Sequence, residues 1–551
     1  MKHLNAALLS LISSASAALG GPDAIYHNAT IYTANDQAPT ARAIAIESDR
    51  IVAVGDAGDI LALGDAGTRV VDLGGHTVLP GLIDAHGHLA GLGAVQVGTL
   101  DLGGTRSYDE VIELVRQRAA ELAPGQWILG RGWDHESWSS KQLPDHQNLS
   151  DIVPDHPVWL IRVDGHAALA NDAAMRAAGV TDETASPEGG EILRAGSNRP
   201  TGVFIDNAES LIERAVPVAA WGLTRDKVIA AQTMCLEAGL TGVHDMGVSP
   251  AQVELFKELA DAGVLKLRVY AVLPGRDAVP YFEEHGVYVS GRLTARATKL
   301  YMDGAMGSRG AWMLEAYEDR PTDDDGKPYT GLNLTDPEFI DFIARHAIEH
   351  GYQVCTHAIG DRANRRVLDA YEQAGGSDAR FRIEHAQLLA PSDIPRFAEL
   401  GVLPSMQPTH CTSDMRWVDA RVGEIRAQGA YAWRSLLKTG VPIVGGSDFP
   451  VESHNPFLGF YAAVTRQNIE GEPSAGWHPD QRMTRGEALK SMTLWAAYGA
   501  FEEHDKGSLE PGKLADFIVI DRDVMTCEPG DIPQTRVLRT VIGAETVYAA
   551  P

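Results

Sequence analysis

Side chains able to bind or serve a metal ion occur in the order His-x-His, Lys, His, His, Asp, each at the end of a strand-like run. They are His86 and His88 in GLIDAHGHLAG, Lys299 in RATKLYMDG, His357 in YQVCTHAIGD, His385 in FRIEHAQ and Asp448 in VPIVGGSDFP. Imidazole nitrogens bind Zn²⁺ and similar ions at ~2.0–2.1 Å. Alternate residues of a strand point to one side, so His86 and His88 project together. One His-x-His is weak evidence, and a lone buried histidine is more often a hydrogen-bonded core residue. The conjunction is stronger, because catalytic residues of a (β/α)₈ barrel collect where its strands end.

Lys299 is the odd member. An ammonium cannot ligate a cation, so it must lose its proton or react with CO₂ to form a carbamate, whose two oxygens can bridge two ions. The plainer alternative is a buried ion pair with Asp303. Asp448 can orient a metal-activated water, accept its proton and pass it to a leaving group. Its plainer role is an N-cap, since Ser-Asp-x-Pro is also a turn signature. There is no GxSxG elbow and no recognisable Cys/His nucleophile pattern, so the chemistry available is metal-assisted. His86, His88, Lys299, His357, His385 and Asp448 are the expected metal site, with Asp448 and Lys299 in catalytic roles.

These residues need a frame. Eight apolar runs end near GLIDAHGH, TGVHDMG, LRVYAVL, ATKLYMDG, YQVCTHAIG, FRIEHAQ, GVLPSMQP and VPIVGGSD, the number a closed parallel barrel needs. Helix signals lie between them. Thr335-x-x-Glu338 reads as a capping box with Pro337 in the first turn. Ile340, Ile343, Ala347 and Ile348 follow as an apolar stripe, and Gly351 as a C-cap. A second helix is expected over 362–373. The fold class expected is α/β, a barrel spanning 80–499. Residues 22–79 and 500–551 are β-rich and predict one small domain built from both ends. Residues 105–225 are too long for a barrel loop and predict an insertion after the first barrel strand, on the catalytic face.

The chain has 551 residues, 44% hydrophobic and 22% charged, as in ordinary globular proteins. A net charge of -27 argues against nucleic acid or an anionic membrane surface as partner. Composition leaves a homo-oligomer open. Cys235, Cys355, Cys411 and Cys527 are too widely spaced for a disulfide framework, and Cys355 reads as a core residue. Residues 1–17, MKHLNAALLSLISSASA, read as an export leader cleaved after Ala17, which places the mature chain in the periplasm or outside the cell.

The motifs PGLIDAHGHLAG, GRGWDHESW, LIRVDGHAALAN, KLYMDGAMGSRGA, THAIGDRAN, RIEHAQLL, SMQPTHCTSDMRW, GGSDFPVESHNPF and GSLEPGKLADFIVID resemble the amidohydrolase superfamily, within it the YtcJ-like amidohydrolase 3 branch. The resemblance covers nearly the whole chain after the leader. It implies a distorted TIM barrel with a composite β-sandwich from both termini, and a one- or two-metal site with zinc the first choice. By motif position, His86, His88, His357, His385 and Asp448 are implied ligands, and Lys299 matches a position carbamylated in two-metal members. Trp133, Asp134, His166, Arg309, Gln407 and His410 fall in motifs near the implied pocket and are expected substrate contacts. Each has a structural alternative: Trp133 as core, Arg309 paired to an acidic loop, Asp134 as a cap. The implied reaction is hydrolysis of a non-peptide carbon–nitrogen bond in a small amide by metal-activated hydroxide. A dipeptidase, an ester or lactone hydrolase, or a non-catalytic scaffold are the alternatives.

Overall fold

The computed structural model describes residues 20–196, 198–217, 223–323 and 325–551, so the leader expected at 1–17 lies outside the described residues. Strands Leu82–Gly87, Leu240–Met246, Arg268–Pro274, Leu293–Tyr301, Gln353–Ala358, Arg382–His385, Leu403–Met406 and Val444–Gly445 pair in parallel in that order. A parallel bridge between Gly87 and Phe449 brings the last strand back to the first. These are the eight runs expected from the sequence. Val243, Val269, Val354 and Ile383 of the strands share one core with Phe256, Ile340, Ile343 and Val367 of the surrounding helices. Burial on both faces is why these strands read as continuous apolar runs.

Helix Pro337–His350 shows how the barrel helices are set. Its cap is Asp336, whose carboxylate accepts from the Glu338 amide at 2.9 Å. This corrects the expected Thr335 cap: Thr335 lies one residue too far out and lines a cavity instead. Ile340, Ile343 and Ala347 are buried, but Ile348 is 37% exposed and falls outside the stripe. Gly351 ends the helix at φ 74°, a left-handed conformation that favours glycine. The next helix runs Asp361–Ala374.

Strands Ala24–Tyr32, Thr40–Glu47, Arg50–Gly55, Arg69–Asp72 and Thr77–Pro80 join Phe517–Ile520, Val537–Ile542 and Glu545–Ala549 in one eight-stranded sheet. The seam is antiparallel, with Pro80 opposite Phe517 and Thr77 opposite Ile520. Tyr26, Ile44, Phe517 and Val541 pack one core of this domain. It is pinned to the barrel by a buried pair, Arg268 Nε to Asp516 Oδ2 at 2.6 Å, while Asp516 Oδ1 accepts from the Gly543 amide at 2.8 Å.

A third sheet of six strands lies between the first and second barrel strands. It comprises Leu100–Asp101, Ile128–Trp133, Val158–Arg162, Ala167–Ala170, Arg199–Asp206 and Gly190–Ala195. It has its own core around Trp133, Trp138, Leu160 and Val203. Arg131, His166 and Asp206 of this insertion line the same cavity as His86 and Lys299, so the sheet walls the catalytic mouth.

Candidate metal centre

His86 sits in the first barrel strand and His88 at the N-terminus of helix Leu89–Val97. His86 Nδ1 lies 2.6 Å from Glu384 Oε2, and His88 Nδ1 donates to the Met246 carbonyl at 3.0 Å. A carbonyl only accepts, so His88 Nδ1 carries a proton and Nε2 is the atom left to face inward. His385 Nδ1 lies 2.8 Å from Gln407 Oε1, and the Gln407 amide is oriented by donating from Nε2 to the Ser405 carbonyl at 3.3 Å. These outer contacts aim the Nε2 atoms inward, as second partners of metal-binding imidazoles do.

Inside, His88 Nε2 lies 3.0 Å and His86 Nε2 3.6 Å from Asp448 Oδ1. Lys299 Nζ is 3.3 Å from His86 Nε2. The rings of His86 and His357 flank His385 at centroid distances of 4.8 and 4.6 Å. Asp448 Oδ1 is buried and has no hydrogen bond. In the neutral ring the His88 Nε2 lone pair and the Asp448 oxygen, 3.0 Å apart, repel unless a proton or a metal cation lies between them. That donor set, three or four neutral imidazoles with one carboxylate, fits a divalent metal.

The electrostatics agree. Burial, then the Lys299 charge, pushes the His86 imidazole down to about 4. Burial pushes His357 and His385 well below their usual range, leaving neutral rings, the form that ligates. Burial also pushes the Lys299 ammonium down, toward the free amine that CO₂ attacks. Burial opposes the Asp448 charge, but the charged forms of His86 and His88 outweigh it and lower the carboxyl well below its usual range, a positive charge that a bound cation would supply once the rings are neutral. Burial likewise opposes Glu384, but Arg382, with Nε 2.8 Å from Oε1, and His86 keep it ionised.

Two cavities meet at this cluster. One of about 650 Å³ is lined by His86, His88, Lys299, Tyr301 and residues of the insertion. One of about 170 Å³ is lined by Asp134, His410, Trp417 and Glu452. Both touch His166, His357, His385 and Asp448. Lys299 does not pair with Asp303, whose carboxylate accepts from the amides of Ile359, Gly360 and Trp312. Asp448 caps no helix: the next one, Pro456–Thr465, is capped by Asn455.

The expected substrate contacts divide. His166 lines both cavities, with Nδ1 2.7 Å from Asp206 Oδ1. His410 lines the smaller one, with Nε2 3.7 Å from Asp448 Oδ2. Asp134 lines it too, but pairs with Arg162 and Arg416, each at 2.6 Å, and accepts from the Glu136 amide at 3.1 Å. Three expectations are corrected. Trp133 is fully buried in the insertion core and donates to the Leu160 carbonyl at 2.8 Å, so it reaches no cavity. Arg309 is held by Asp319 at 2.8 Å, away from both cavities. Gln407 is buried behind His385 and positions that ring instead of facing a ligand. Sequence reasoning missed Glu384 and Arg382. Their signal was the alternation Arg382-x-Glu384, which puts both on one side of a strand. The Met246 carbonyl had no sequence signal at all.

The amidohydrolase-family model matches residues 69–548. The chain belongs to the amidohydrolase family. It is similar to the protein LONG AFTER FAR-RED 3 of Arabidopsis thaliana, 35% identical over 96% of this chain and 91% of that one. YtcJ of Bacillus subtilis (strain 168) is 31% identical over 95% of this chain and 99% of its own length. The N-substituted formamide deformylase of Arthrobacter pascens is 28% identical over 96% of this chain and 98% of its own. Among solved structures, a metal-dependent hydrolase from Pyrococcus horikoshii OT3 superposes with a TM-score of 0.74 at 29% identity, covering 92% of this chain and 99% of that one. The chain is therefore an amidohydrolase-family hydrolase, and its strand-end histidines, lysine and aspartate occupy the mouth of the family's barrel.

Proposed function

We propose that this amidohydrolase hydrolyses non-peptide carbon–nitrogen bonds of small amides, with N-substituted formamides and acetamides as the first compounds to test. The observation that carries the reading is Asp448 Oδ1, buried, without a hydrogen bond and 3.0 Å from His88 Nε2, where two cavities meet. The formamide deformylase relative supports the bond class.

His86, His88, His357, His385 and Asp448 would hold a divalent ion, zinc first given the imidazole-rich donor set, and that ion would supply Lewis acidity to a carbonyl and a more acidic water. Asp448 accepts the proton of the attacking water and delivers it to the leaving nitrogen. His410, 3.7 Å from Asp448 Oδ2, faces the side of the carboxylate turned to the smaller cavity. The two cavities take the two sides of the scissile bond, and the insertion lines part of the larger one. If two ions are held, Lys299, with Nζ 3.3 Å from His86 Nε2, is the residue that as a carbamate would add the negative charge neutral imidazoles lack.

Chelation should abolish amine release from these compounds, and added zinc should restore it. Full activity in protein shown metal-free by elemental analysis overturns the reading. Lys299→Ala should lose metal and be partly rescued by short carboxylic acids, while Lys299→Arg stays charged and is not rescued. Export is a separate proposal, checked by N-terminal sequencing of protein from the native host.

A further inference from the structure

Strand Ile128–Trp133 of the insertion carries Arg131 into the larger cavity, which also holds His86, His88, Lys299 and Asp448. A guanidinium has five N–H groups. Here Nη2 donates to the Val163 carbonyl at 3.2 Å, and Nε is buried with no hydrogen-bond partner. Among the described residues Arg131 makes no ion pair. The arginines of the smaller cavity are different: Arg162 is closed by Asp134 and Asp164, and Arg416 by Asp134.

Asp448, Asp164 and Glu209 act on the Arg131 charge from a distance, and none of them forms an ion pair with it. Asp164 is committed to Arg162 at 2.5 Å, and Asp206 to His166 at 2.7 Å. Glu209 has a buried, unbonded Oε1, and burial followed by repulsion from Glu213 pushes its carboxyl well above the usual range, which weakens it as a counter-charge. The cavity's lining also has an apolar part, with Ala94, Val95, Met246 and Val248. A guanidinium fork with free N–H groups, in a reaction cavity that also has apolar lining, matches a ligand that joins a hydrocarbon part to a planar anion.

We propose that Arg131 is a specificity-determining residue that pairs with a carboxylate on the amine-side portion of the substrate. This rests on the amide-hydrolase reading above. The carboxylate accepts two N–H bonds from the fork, the hydrocarbon lies on the apolar part of the lining, and the scissile amide is presented to Asp448.

The test is a matched pair, N-formylleucine and N-formylisopentylamine, which differ by the carboxylate alone. With metal-loaded full-length chain, kcat/KM should favour the carboxylate compound about 10- to 100-fold, the size of a charge-assisted hydrogen-bond pair. In Arg131→Gln that preference should fall to within about threefold. Arg131→Lys, which keeps charge but not the fork, should lie between, and carries the test if the glutamine variant does not fold by circular dichroism. Dissociation constants for the same pair, measured calorimetrically in an Asp448→Asn background that blocks turnover, should follow the same ratios. Equal affinity for the two compounds in the parent protein, or loss of both alike in Arg131→Gln, overturns the assignment and makes Arg131 structural. Turnover of neither compound, with the binding preference intact, would instead count against the formamide reaction and leave Arg131 as the anion anchor.

Discussion

At Asp448 the surroundings decide the role. The same carboxylate in an exposed turn would cap a helix. Here it is buried beside His86 and His88 and held ionised, which suits a proton acceptor. Asp448→Asn should keep the fold and most metal while kcat falls ~10²–10⁴-fold. Near-native turnover with normal metal content would remove Asp448 from the mechanism. Glu384 acts one step further out, through the 2.6 Å contact that sets the His86 ring. Glu384→Gln should weaken metal binding ~10–100-fold in a competitive chelator titration. The deficit should appear in affinity before it appears in turnover at saturating metal, which separates a positioning role from a proton-transfer role.

At the scale of elements, local signals and packing divide the work. The barrel helices are positioned by short polar caps outside the apolar stripe, as at Asp336. Asp336→Ala should cost about 1 kcal/mol at that helix end. The cleanest readout is hydrogen exchange, with faster exchange at the Glu338 amide and little change in the strands. The inserted sheet explains why only some of the motif residues near the pocket face a ligand. Trp133 is on the same strand as Arg131, two residues along. A glycine between them, Gly132, has φ 108°, outside the extended conformation. Trp133 turns into the sheet's core and Arg131 into the cavity. Strand periodicity alone would have put the two side chains on one face.

At the scale of the whole molecule, the terminal domain and the barrel are joined by charge as well as by apolar packing. Arg268 on a barrel strand and Asp516 beside the terminal sheet form a buried pair. Burial opposes the Asp516 charge, but Arg268 outweighs it and lowers the carboxyl from 3.8. The folded value is depressed, so this stabilisation is fully present above about 3.8 and is lost as pH falls below it toward the folded value. Asp516→Asn should cost ~3–5 kcal/mol at neutral pH, because it leaves Arg268 buried and unpaired. Its melting temperature should also depend less on pH below about 4 than that of the parent chain. Equal melting temperatures at pH 7 would show that the pair contributes nothing to holding the domains together.

The sequence by itself determined the eight apolar runs, their β/α alternation and the ligand-type residues at their ends, because hydrophobic period and residue chemistry are local properties. It also marked both chain ends as β-rich and the segment after the first barrel strand as too long for a loop. The tertiary structure decided everything that depends on which surfaces meet. Closure of the barrel brought His86 against Asp448, more than 350 residues away in the chain. The second contacts of the imidazoles come from other strands: Glu384 for His86, the Met246 carbonyl for His88 and Gln407 for His385. No pattern along one strand encodes those pairings. The same holds for Trp133, Arg309 and Gln407, whose residue types suit a pocket but whose partners lie in the insertion core, on an acidic loop and at the back of the His385 ring. A side chain's type is set by its codon, while its partner is set by how three sheets pack.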